Sequence, residues 1–548
     1  MTAVAVSRHL GARQTAEMKG LQKFDAVVIG SGLGGLTAGA QLAKAGYAVL
    51  LLERNFSLGG AASVYRVGSL TIEASLHQTS DARHPRDVKH RILKELGVLD
   101  ELEFLPTGPV HRVRGGPVGE PFALPAGFDA AHHALSERFP DKRHAIRDFL
   151  NDVERIHDSL WNIREARDGA SFAKFQRALW ELEPAARDWN ATLDEVFERS
   201  FGAGEALKCA LGANLLYFGD DPKRIWWVYY ALAQGANIAS GTAYIKGGSR
   251  QLSLKLAKVI TKAGGVVRLG REASAILTDS QGDVNGVRHV ARKTGDDDEE
   301  VSAPVVLANC APHVAADILP SPQRGAMEAA FGETPLSTSL FCANFGLSAR
   351  PETVGMKDYC EIVLPEGMTR FSQYGEGVEA LGANPDDALP PYAIANFTAV
   401  DSGLWDEPPH LVAVLGLDRL ANWKGLPREE SVARRDAWLS AIEKRLDRDC
   451  PGFAGLVRER VFLNAHSMAG YLRTPEGAVY GFEPLPPEAP ILAGFPRTPH
   501  TPVGGLYLAS AFGGEHGFNG AILSGAEAAR LAARDLESRR LDSGGSGC

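Results

Sequence analysis

The stretch Phe24–Glu53, with the sequence FDAVVIGSGLGGLTAGAQLAKAGYAVLLLE, decides the fold of this 548-residue chain. Phe24–Gly30 is a short β-branched run and Tyr47–Glu53 is a second apolar run, which predicts two buried parallel strands. Between them, Leu33–Gly46 has Ala, Leu and Thr at helical spacing and ends at a glycine, the residue preferred after a helix C-terminus. The stretch is therefore predicted to form a strand, a tight turn, a helix and a second strand.

Three glycines in the predicted turn follow the spacing GxGxxG. Gly30 allows the tight turn, Gly32 lets the backbone approach a pyrophosphate, and Gly35 lets the helix pack closely on the strand. Phosphates would then lie at the positively polarised N-terminus of the helix. Glu53 ends the second strand, where its carboxylate can accept hydrogen bonds from ribose hydroxyls. The pattern predicts a dinucleotide-binding unit, with an ordinary glycine turn as the alternative.

The composition restricts the class of partner and the compartment. A formal net charge of −9 provides no basic surface for phosphate backbones, so we expect no nucleic-acid partner. The six cysteines are scattered without metal-ligand spacing, so we expect no metal site and no disulfide framework, and a reducing, cytoplasmic location is favoured. Residues 1–23 lack a signal-peptide core and are predicted to be a flexible extension, and residues 541–548 a flexible tail.

The segment Ile225–Ile245 is the longest weakly charged stretch of the chain. It is rich in aromatic residues, but polar side chains and glycines interrupt it, and its polarity argues against a membrane-spanning helix. We expect a buried helix or a cavity wall. A face that touches lipid, and with it peripheral membrane contact, is the alternative.

Arg54 and the segment Gly59–Ser63, with the sequence GGAAS, follow the dinucleotide unit. A glycine pair lets the backbone run close to a ligand. An acidic residue followed by Arg and then by a glycine pair resembles the signature of the FAD-dependent amine oxidase and phytoene desaturase superfamily. The resemblance implies that FAD is the cofactor and that Arg54, Gly59, Gly60 and Ser63 line its pyrophosphate and ribityl chain. An ordinary glycine-rich loop is the alternative.

Two later blocks resemble the same superfamily. Lys246–Asn309 contains a glycine turn, an amphipathic helix and several strands, the order in which the family completes its FAD domain, with Ala273 at the expected backbone contact. Gly505–Ala509 predicts a strand, and a glycine-rich loop leads from it into a helix over Ala521–Leu536. In the family the N-terminus of this helix stabilises negative charge on the flavin. The family's Gly-Asp pair is replaced here by Ser510-Ala511, which predicts fewer side-chain contacts to FAD.

The resemblance is closest to the branch of phytoene desaturases, carotenoid isomerases and retinol saturases, to which Tyr471–Gly481 and His132–Asp148 also look similar. It implies an α/β fold: a Rossmann-like, glutathione-reductase-like FAD-binding domain with an inserted α+β substrate-binding domain. The predicted cofactor contacts are Gly30, Gly32, Gly34, Gly35, Glu53, Arg54, Gly59, Gly60, Ala61, Ser63, Ala273, Gly520, Ala521 and Ile522.

The predicted FAD-binding domain is discontinuous and comprises residues 24–100, 240–315 and 460–540. Residues 101–239 and 316–459 would form the substrate-binding domain. These segments contain aromatic residues that suit a hydrophobic tunnel, although ordinary core packing is the alternative for each of them. They are Trp226, Trp227, Tyr229, Tyr230, Phe341 and Phe345.

The catalytic residues are predicted with least support from the sequence. In the resembling branch the flavin exchanges hydride equivalents at an alkene carbon, so the protein need supply only orientation, electrostatics and an acid or base. The candidates are His516 and Glu515 in the C-terminal loop, and Glu73 and His77 in the segment Leu70–His77. The family often has an Asp followed two residues later by Gly where this chain has Glu73 and Ser75. His516 could donate a proton near neutral pH, or it could cap the following helix.

The resemblance implies an FAD-dependent oxidoreductase or isomerase that acts on carbon-carbon double bonds of a long apolar carotenoid, retinoid or other isoprenoid. Desaturation, saturation and isomerisation are all compatible with it. No second GxGxxG follows a strand, so the electron donor or acceptor is unassigned. The alternatives are an amine oxidase-like flavoenzyme with a polar or natural-product substrate, and a non-catalytic prenyl-binding protein similar to GDP-dissociation inhibitors and Rab escort proteins.

Overall fold

The computed structural model describes residues 22–167, 181–295, 297–385, 389–493, 495–514 and 516–545. Their strands are β1 (Gln22–Lys23), β2 (Ala26–Ile29), β3 (Val49–Glu53), β4 (Val64–Val67), β5 (Leu70–Glu73), β6 (Thr79–Ser80), β7 (Phe104–Pro106), β8 (His111–Gly115), β9 (Gly119–Leu124), β10 (Thr242–Ile245), β11 (Val266–Leu269), β12 (Arg271–Thr278), β13 (Val284–Ala291), β14 (Glu299–Ser302), β15 (Val305–Ala308), β16 (Ser339–Leu347), β17 (Cys360–Leu364), β18 (Tyr392–Asn396), β19 (His410–Asp418), β20 (Val457–Leu463) and β21 (Leu506–Leu508). Their α-helices are α1 (Leu33–Lys44), α2 (His90–Leu96), α3 (Phe128–Arg138), α4 (Arg143–Arg167), α5 (Glu183–Arg187), α6 (Leu193–Phe201), α7 (Glu205–Gly212), α8 (Trp227–Ser240), α9 (Arg250–Lys262), α10 (Pro312–Asp317), α11 (Ser321–Phe331), α12 (Arg428–Asp449), α13 (Phe453–Leu456), α14 (Ala465–Leu472) and α15 (Gly517–Gly545).

A five-stranded parallel sheet holds the N-terminal unit, in the order β11-β3-β2-β15-β21. The strands β2, β3 and β15 are apolar and almost wholly buried, as parallel strands must be when helices cover both faces. The two strands and the helix predicted in Phe24–Glu53 are confirmed by β2, α1 and β3. Because all five strands are parallel, the turn after β2 and the loop after β15 lie at the same edge of the sheet.

The helices α1 and α15 contact each other through glycines. A Cβ atom on Gly34 would lie 2.0 Å from the carbonyl oxygen of Ala509, and one on Gly525 would lie 2.2 Å from the carbonyl oxygen of Gly34. Atoms cannot approach so closely, so a larger residue at position 34 would force α1 away from the residue that follows β21, and one at position 525 would force the two helices apart. This backbone contact brings the start of α15 next to the glycine turn that precedes α1.

A seven-stranded sheet, β20-β16-β19-β18-β17-β8-β9, forms the second layer of strands. It is antiparallel except for the parallel pair β17 and β8. Its strands come from the predicted substrate segments 101–239 and 316–459, except that β20 runs past that boundary. A smaller sheet, β6-β10-β7, joins strands from both predicted domains. The division into two domains stays a prediction. Most of these strands pair with strands of the same predicted domain, as that division requires.

The two terminal segments that were predicted to be flexible both contain residues that the structure places in a strand or a helix. Gln22 and Lys23 pair in parallel with Val301 and Ser302 of β14, so the end of the predicted extension 1–23 belongs to a sheet. Backbone pairing between residues so far apart in the sequence leaves no local signal near residue 22. The helix α15 continues to Gly545, into the predicted tail 541–548, because adding residues to an existing helix costs little. Residues 1–21 and 546–548 lie outside the described residues.

The aromatic segment Ile225–Ile245 forms α8 and β10. Trp227 and Tyr230 are fully buried, and most of the remaining side chains of α8 are buried as well. The prediction of a buried helix or cavity wall is therefore confirmed. Within the part of the chain that the structure describes, no helix is both long enough and apolar enough to cross a membrane.

Candidate active site

The glycine turn between β2 and α1 has the geometry expected for a phosphate loop. Gly30 adopts φ = +97°, a conformation that side chains disfavour. A Cβ atom on Gly35 would lie 2.3 Å from the Gly30 carbonyl oxygen, so this residue does allow the close contact between helix and turn. A Cβ atom on Gly32 would lie 2.4 Å from Nδ2 of Asn309, which follows β15. The turn is thus a cradle of backbone groups at the carboxyl edge of the sheet.

Glu53 is held at the end of β3 by donors from the same cradle. Its Oε2 accepts hydrogen bonds from the backbone N–H of Ser31 at 2.8 Å and from the Ser31 hydroxyl at 2.6 Å, and its Oε1 accepts from the N–H of Asn55 at 2.7 Å. Each carboxylate oxygen can accept further bonds. The buried carboxylate is therefore fixed in place, and its contact with ribose hydroxyls stays a prediction.

The second glycine-rich loop, Gly59–Ser63, lies against the first. Gly59 forms a parallel β-bridge with Gly32, and its N–H donates to the Ser31 carbonyl at 3.0 Å. A Cβ atom on Gly60 would lie 3.4 Å from Cα of Gly32. The two loops together form one continuous surface of backbone, which fits an extended dinucleotide such as FAD and would be filled by side chains at these positions.

Tyr471 and Arg54 close the outer side of this cradle. The Tyr471 hydroxyl donates to the Gly60 carbonyl at 3.2 Å and lies 3.3 Å from the Ser63 hydroxyl, while Arg54 donates to the Tyr471 carbonyl. Burial and the nearby cations Arg473 and Arg292 lower the pKa of Arg54. Mutually repelling guanidinium groups beside a glycine cradle favour a bound phosphate. Tyr471 was not among the predicted contacts, although it lies in a segment that resembles the family.

The start of α15 is fixed to β6 by a buried polar network. Asn519 accepts from the Thr79 hydroxyl at 2.9 Å and donates to the Ser80 hydroxyl oxygen at 2.9 Å. That oxygen also accepts from Lys89, at 2.9 Å, and Lys89 pairs with Asp87 at 3.1 Å with both side chains fully buried. This network sets the position of the helix N-terminus, whose first turns carry the predicted contacts Gly520, Ala521 and Ile522.

Three further sequence expectations concern individual contacts. Ser510, the first residue of the Ser510-Ala511 pair that replaces the family's Gly-Asp, donates its hydroxyl to the Cys310 carbonyl at 3.0 Å, so it holds two loops together. Ala273 lies on β12 opposite His289. A Cβ atom on Gly34 would also lie 3.0 Å from the Ala521 carbonyl oxygen, so these two predicted contacts are brought together. The direct contact of each residue with FAD stays a prediction.

An inner chamber of about 150 Å³ opens at the start of α15. Its walls combine apolar, aromatic and hydrogen-bonding side chains from α4, α8, β6 and α15. The main polar and aromatic members are Ser75, Gln78, Thr79, His157, Tyr217, Tyr229, Tyr480, His516 and Asn519.

An outer cleft of about 700 Å³ adjoins the inner chamber, between α1, α2, α8, α15 and residues 484–499. Tyr229, Leu232, His516 and Leu523 line both spaces. The cleft has the size of a small-molecule site (~300–1,000 Å³), and most of its wall is apolar. A long apolar molecule could therefore lie in the cleft with one part at the start of α15.

His516 stands where the two spaces meet, with its ring centroid 4.9 Å from that of Tyr229. Arg497 donates to its Nε2 at 3.1 Å, so Nδ1 carries the proton, and that atom is buried without a partner among the described residues. Burial and the Arg497 charge lower the pKa of His516 far below its ordinary value. The ring is therefore neutral near pH 7, which favours hydrogen-bond donation over the predicted proton donation. Glu515 lies outside the described residues.

Glu73 and His77 line neither space. Glu73 is buried and accepts bonds from the Ser249 N–H at 3.0 Å, the Ser249 hydroxyl and the Tyr244 hydroxyl at 3.0 Å. Burial raises its pKa to about 7. His77 is buried beside the Tyr217 and Phe397 rings, and burial lowers its pKa to about 4. These positions favour structural roles, and a catalytic role for either residue stays a prediction.

His157 is a site residue that was not predicted. It lies on α4, its Nδ1 is 3.0 Å from Oδ1 of Asp158, and its buried Nε2 has no partner among the described residues. The carboxylate thus orients the ring, leaving Nε2 as an acceptor beside the inner chamber. A histidine at a buried position of an amphipathic helix, next to Ile156, is the only signal that the sequence offers.

Of the six aromatic residues that were predicted to suit a hydrophobic tunnel, two line the cavities and four lie in the core. Trp226 lines the outer cleft and Tyr229 lines both spaces. Trp227 and Tyr230 pack into the core. Phe341 and Phe345 lie on β16 and pack against Phe462 and Phe453. The structure thus places four of the six aromatic residues in the core.

Comparison with known proteins fits this geometry. The family model described as flavin containing amine oxidoreductase matches residues 33–350, more than half of the chain. The chain belongs to this family. All-trans-retinol 13,14-reductase of Rattus norvegicus is 28% identical over 296 residues, which cover 53% of this chain and 47% of that protein. Phytoene desaturase (neurosporene-forming) of Rhodobacter capsulatus is 25% identical over 505 residues, 89% of each chain. The chain thus spans about half the length of the retinol reductase.

Solved structures show the same fold. An oxidoreductase from Methanosarcina mazei has a TM-score of 0.56 at 18% identity, covering 91% of this chain and 98% of its own. Putrescine oxidase bound to putrescine has a TM-score of 0.56 at 16% identity, and the match covers 94% of this chain and 99% of the putrescine oxidase. At these identities the likeness shows the fold alone. The predicted family resemblance, the Rossmann-like fold class and FAD as the cofactor are confirmed.

Proposed function

We propose that this flavoprotein is an oxidoreductase that acts on carbon-carbon double bonds of a long apolar isoprenoid. The observation that carries the proposal is the apolar outer cleft that adjoins the inner chamber at the start of α15. Relatives named as a retinol reductase and as a phytoene desaturase support the substrate class. A bound FAD would supply hydride transfer to or from an alkene carbon.

The chain's own residues bind and orient in this proposal. The backbone of Gly30–Gly35 and Gly59–Ser63, with the Glu53 carboxylate, would hold the dinucleotide. The N-terminus of α15 offers unpaired N–H groups and a positive helix end to developing negative charge. The aromatic and apolar walls of the inner chamber exclude water, which strengthens the hydrogen bonds made there.

We further propose that two histidines form hydrogen bonds to the ligand in the inner chamber. Reduction of a double bond requires one proton besides the hydride. We propose that Glu515 supplies this proton and that the two histidine rings orient the ligand. The neutral ring of His516 presents an N–H through Nδ1, and His157 presents an acceptor nitrogen through Nε2. One ring can therefore donate a hydrogen bond to the ligand while the other accepts one. Glu515 next to His516 remains part of this proposal as a candidate acid or base.

The first experiment is the visible absorption spectrum of the purified protein after desalting. About one flavin per chain is expected. The reduced protein is then incubated anaerobically with all-trans-retinol, and the oxidised protein with phytoene, and the products are separated by chromatography. A loss or gain of double bonds supports the proposal, and a shift of isomers alone supports isomerisation.

Three other outcomes would contradict the proposal. Oxidation of amines without conversion of polyenes would support an amine oxidase-like enzyme instead. A protein that takes up no FAD but retains prenylated peptides would support a prenyl-binding function. Flavin bound without conversion of any polyene, in either redox state, would refute the proposed substrate class while leaving the cofactor intact.

We also propose that the protein works in the cytoplasm with peripheral contact to a membrane, because isoprenoid substrates of this kind partition into lipid. Flotation with liposomes tests this. Protein that stays at the bottom of the gradient, with and without a polyene in the liposomes, would contradict membrane contact.

A further inference from the structure

Arg497 lies at the inner end of the outer cleft, and no carboxylate among the described residues pairs with it. It donates to His516 Nε2 at 3.1 Å and to the Glu483 carbonyl, and its guanidinium carbon lies 5.1 Å from the centre of the Phe482 ring. Both carboxylate oxygens of Glu483 are bound by Arg224, at 2.5 and 2.6 Å. The acid nearest in the chain is therefore already engaged.

A largely buried guanidinium without a directly paired anion is costly, because it has lost water and is compensated only by the charge of Glu483, which Arg224 already binds. Burial lowers the pKa of Arg497 to about 10, which reflects this cost. The neutral His516 ring gives it an acceptor without a negative charge. Further N–H groups of the planar fork remain available to a ligand, and their geometry matches a carboxylate.

The other cations of the outer cleft are compensated or stand in solvent. Arg91 pairs with Glu95 at 2.8 Å, and Arg530 pairs with Glu527 at 2.5 Å. Lys44 is exposed at the rim. Among the described residues of the outer cleft, Arg497 is thus a largely buried cation that faces the apolar space without a directly paired carboxylate. This arrangement fits a ligand with one negative charge and offers too little positive charge for a diphosphate.

We propose that the outer cleft binds an unsaturated apolar chain that ends in a single carboxylate, and that Arg497 binds this carboxylate. The inference rests on the proposed function, because it concerns the end group of the same substrate. It implies that the apolar chain lies along the outer cleft, while the carboxylate lies beside Arg497 at the junction with the inner chamber. A reaction that oxidises a terminal alcohol or aldehyde to the acid would have to supply such a substrate.

The test compares ligands that share a chain and differ only in the end group. Binding of all-trans-retinoic acid, its methyl ester, all-trans-retinol and geranylgeranyl diphosphate to the flavin-loaded protein is measured by equilibrium dialysis, independently of turnover. We expect the acid to bind at least tenfold more tightly than the ester and the alcohol. Arg497→Gln should weaken binding of the acid by about tenfold to a hundredfold and change binding of the ester by less than threefold.

Two variants control for charge and for folding. Arg435→Gln removes an exposed cation of α12, outside the outer cleft, and should leave the acid preference unchanged. Arg497→Lys keeps the charge without the fork and should retain part of the preference. Because the ester comparison uses the unmodified protein, it remains informative even if Arg497→Gln does not fold.

Each contrary outcome has its own meaning. Equal binding of acid, ester and alcohol would overturn the role of Arg497 and leave the apolar substrate class standing. Preference for the diphosphate would overturn the single-carboxylate ligand. If no polyene binds at all while FAD is retained, the proposed function itself fails, and the end-group inference fails with it.

Discussion

Replacement of Glu73 by Gln should make the protein more stable above neutral pH. Glu73 accepts hydrogen bonds from the Ser249 N–H, the Ser249 hydroxyl and the Tyr244 hydroxyl, and the backbone N–H of Leu76 also lowers its pKa. A glutamine can keep all three contacts, because its carbonyl oxygen accepts from the Ser249 N–H and from Tyr244 while its amide donates to the Ser249 hydroxyl. The substitution therefore removes the buried charge and little else.

The magnitude follows from the pKa of Glu73. Burial, opposed by the bonds from Ser249 and Tyr244, raises this pKa from 4.5 to about 7. The folded protein therefore binds the proton more tightly than the unfolded chain. The resulting stabilisation is complete below pH 4.5 and is lost as the pH rises through about 7, by about 3 kcal/mol in total. Glu73→Gln has no such loss and should exceed the wild type by up to this amount above about pH 8.

Urea unfolding of the flavin-loaded protein between about pH 5 and pH 9 measures this effect. The two curves of unfolding free energy against pH should converge at the acid end and separate at the alkaline end. Glu120→Gln, at an exposed position of β9, is the matched control and should reproduce the wild-type curve within about 0.5 kcal/mol. A Glu73→Gln curve parallel to the wild type at every pH would refute the assignment of the buried charge.

Three further predictions concern the cofactor cradle, a helix contact and a buried ion pair. Glu53→Gln should weaken FAD binding by about tenfold or more, because an acceptor becomes a donor; flavin fluorescence during titration measures this, and an unchanged Kd contradicts the role of the carboxylate. Gly525→Ala should lower the free energy of unfolding by about 1–3 kcal/mol. The control is Gly325→Ala, where an added Cβ meets nothing within 4 Å, and it should be neutral or stabilising by up to about 1 kcal/mol. Equal effects of the two variants in urea unfolding would contradict the contact between the helices. Lys89→Met should lower the free energy of unfolding by about 3–5 kcal/mol, because it leaves the Asp87 carboxylate buried without its partner. The double variant Lys89→Met with Asp87→Leu should lose much less stability. Equal losses of the two variants in thermal unfolding would contradict the ion pair.

The N-terminal unit could be predicted because its determinants are local. The apolar runs around Gly30 and before Glu53 are short, and the helix between them has a regular period and a glycine end. The glycine spacing adds steric requirements that few other structures impose. The structure confirms these elements within about two residues, the uncertainty typical of helix and strand ends.

The inner chamber could not be predicted, because its walls come from parts of the chain that only the tertiary fold brings together. His157 on α4, which lines this chamber, and Arg497 in the loop before β21, which lines the outer cleft, lie in segments without a motif. Aromatic content was no guide either. Phe341 and Phe345 lie in a strand flanked on both sides by β19 and β20, so burial in the sheet, rather than a ligand, explains them.

The helix α15 joins the cofactor cradle to the outer cleft. Its first turn is fixed by Asn519 beside the inner chamber, and Gly525 presses its backbone onto α1. Leu523 and Glu527, on the same helix, line the outer cleft. A ligand that moves α15 outward would strain the Gly525 contact and the Asn519 bonds together. Tight packing of this helix therefore couples occupancy of the cleft to the geometry of the cradle, and Gly525→Ala should weaken binding of FAD as well as lower stability.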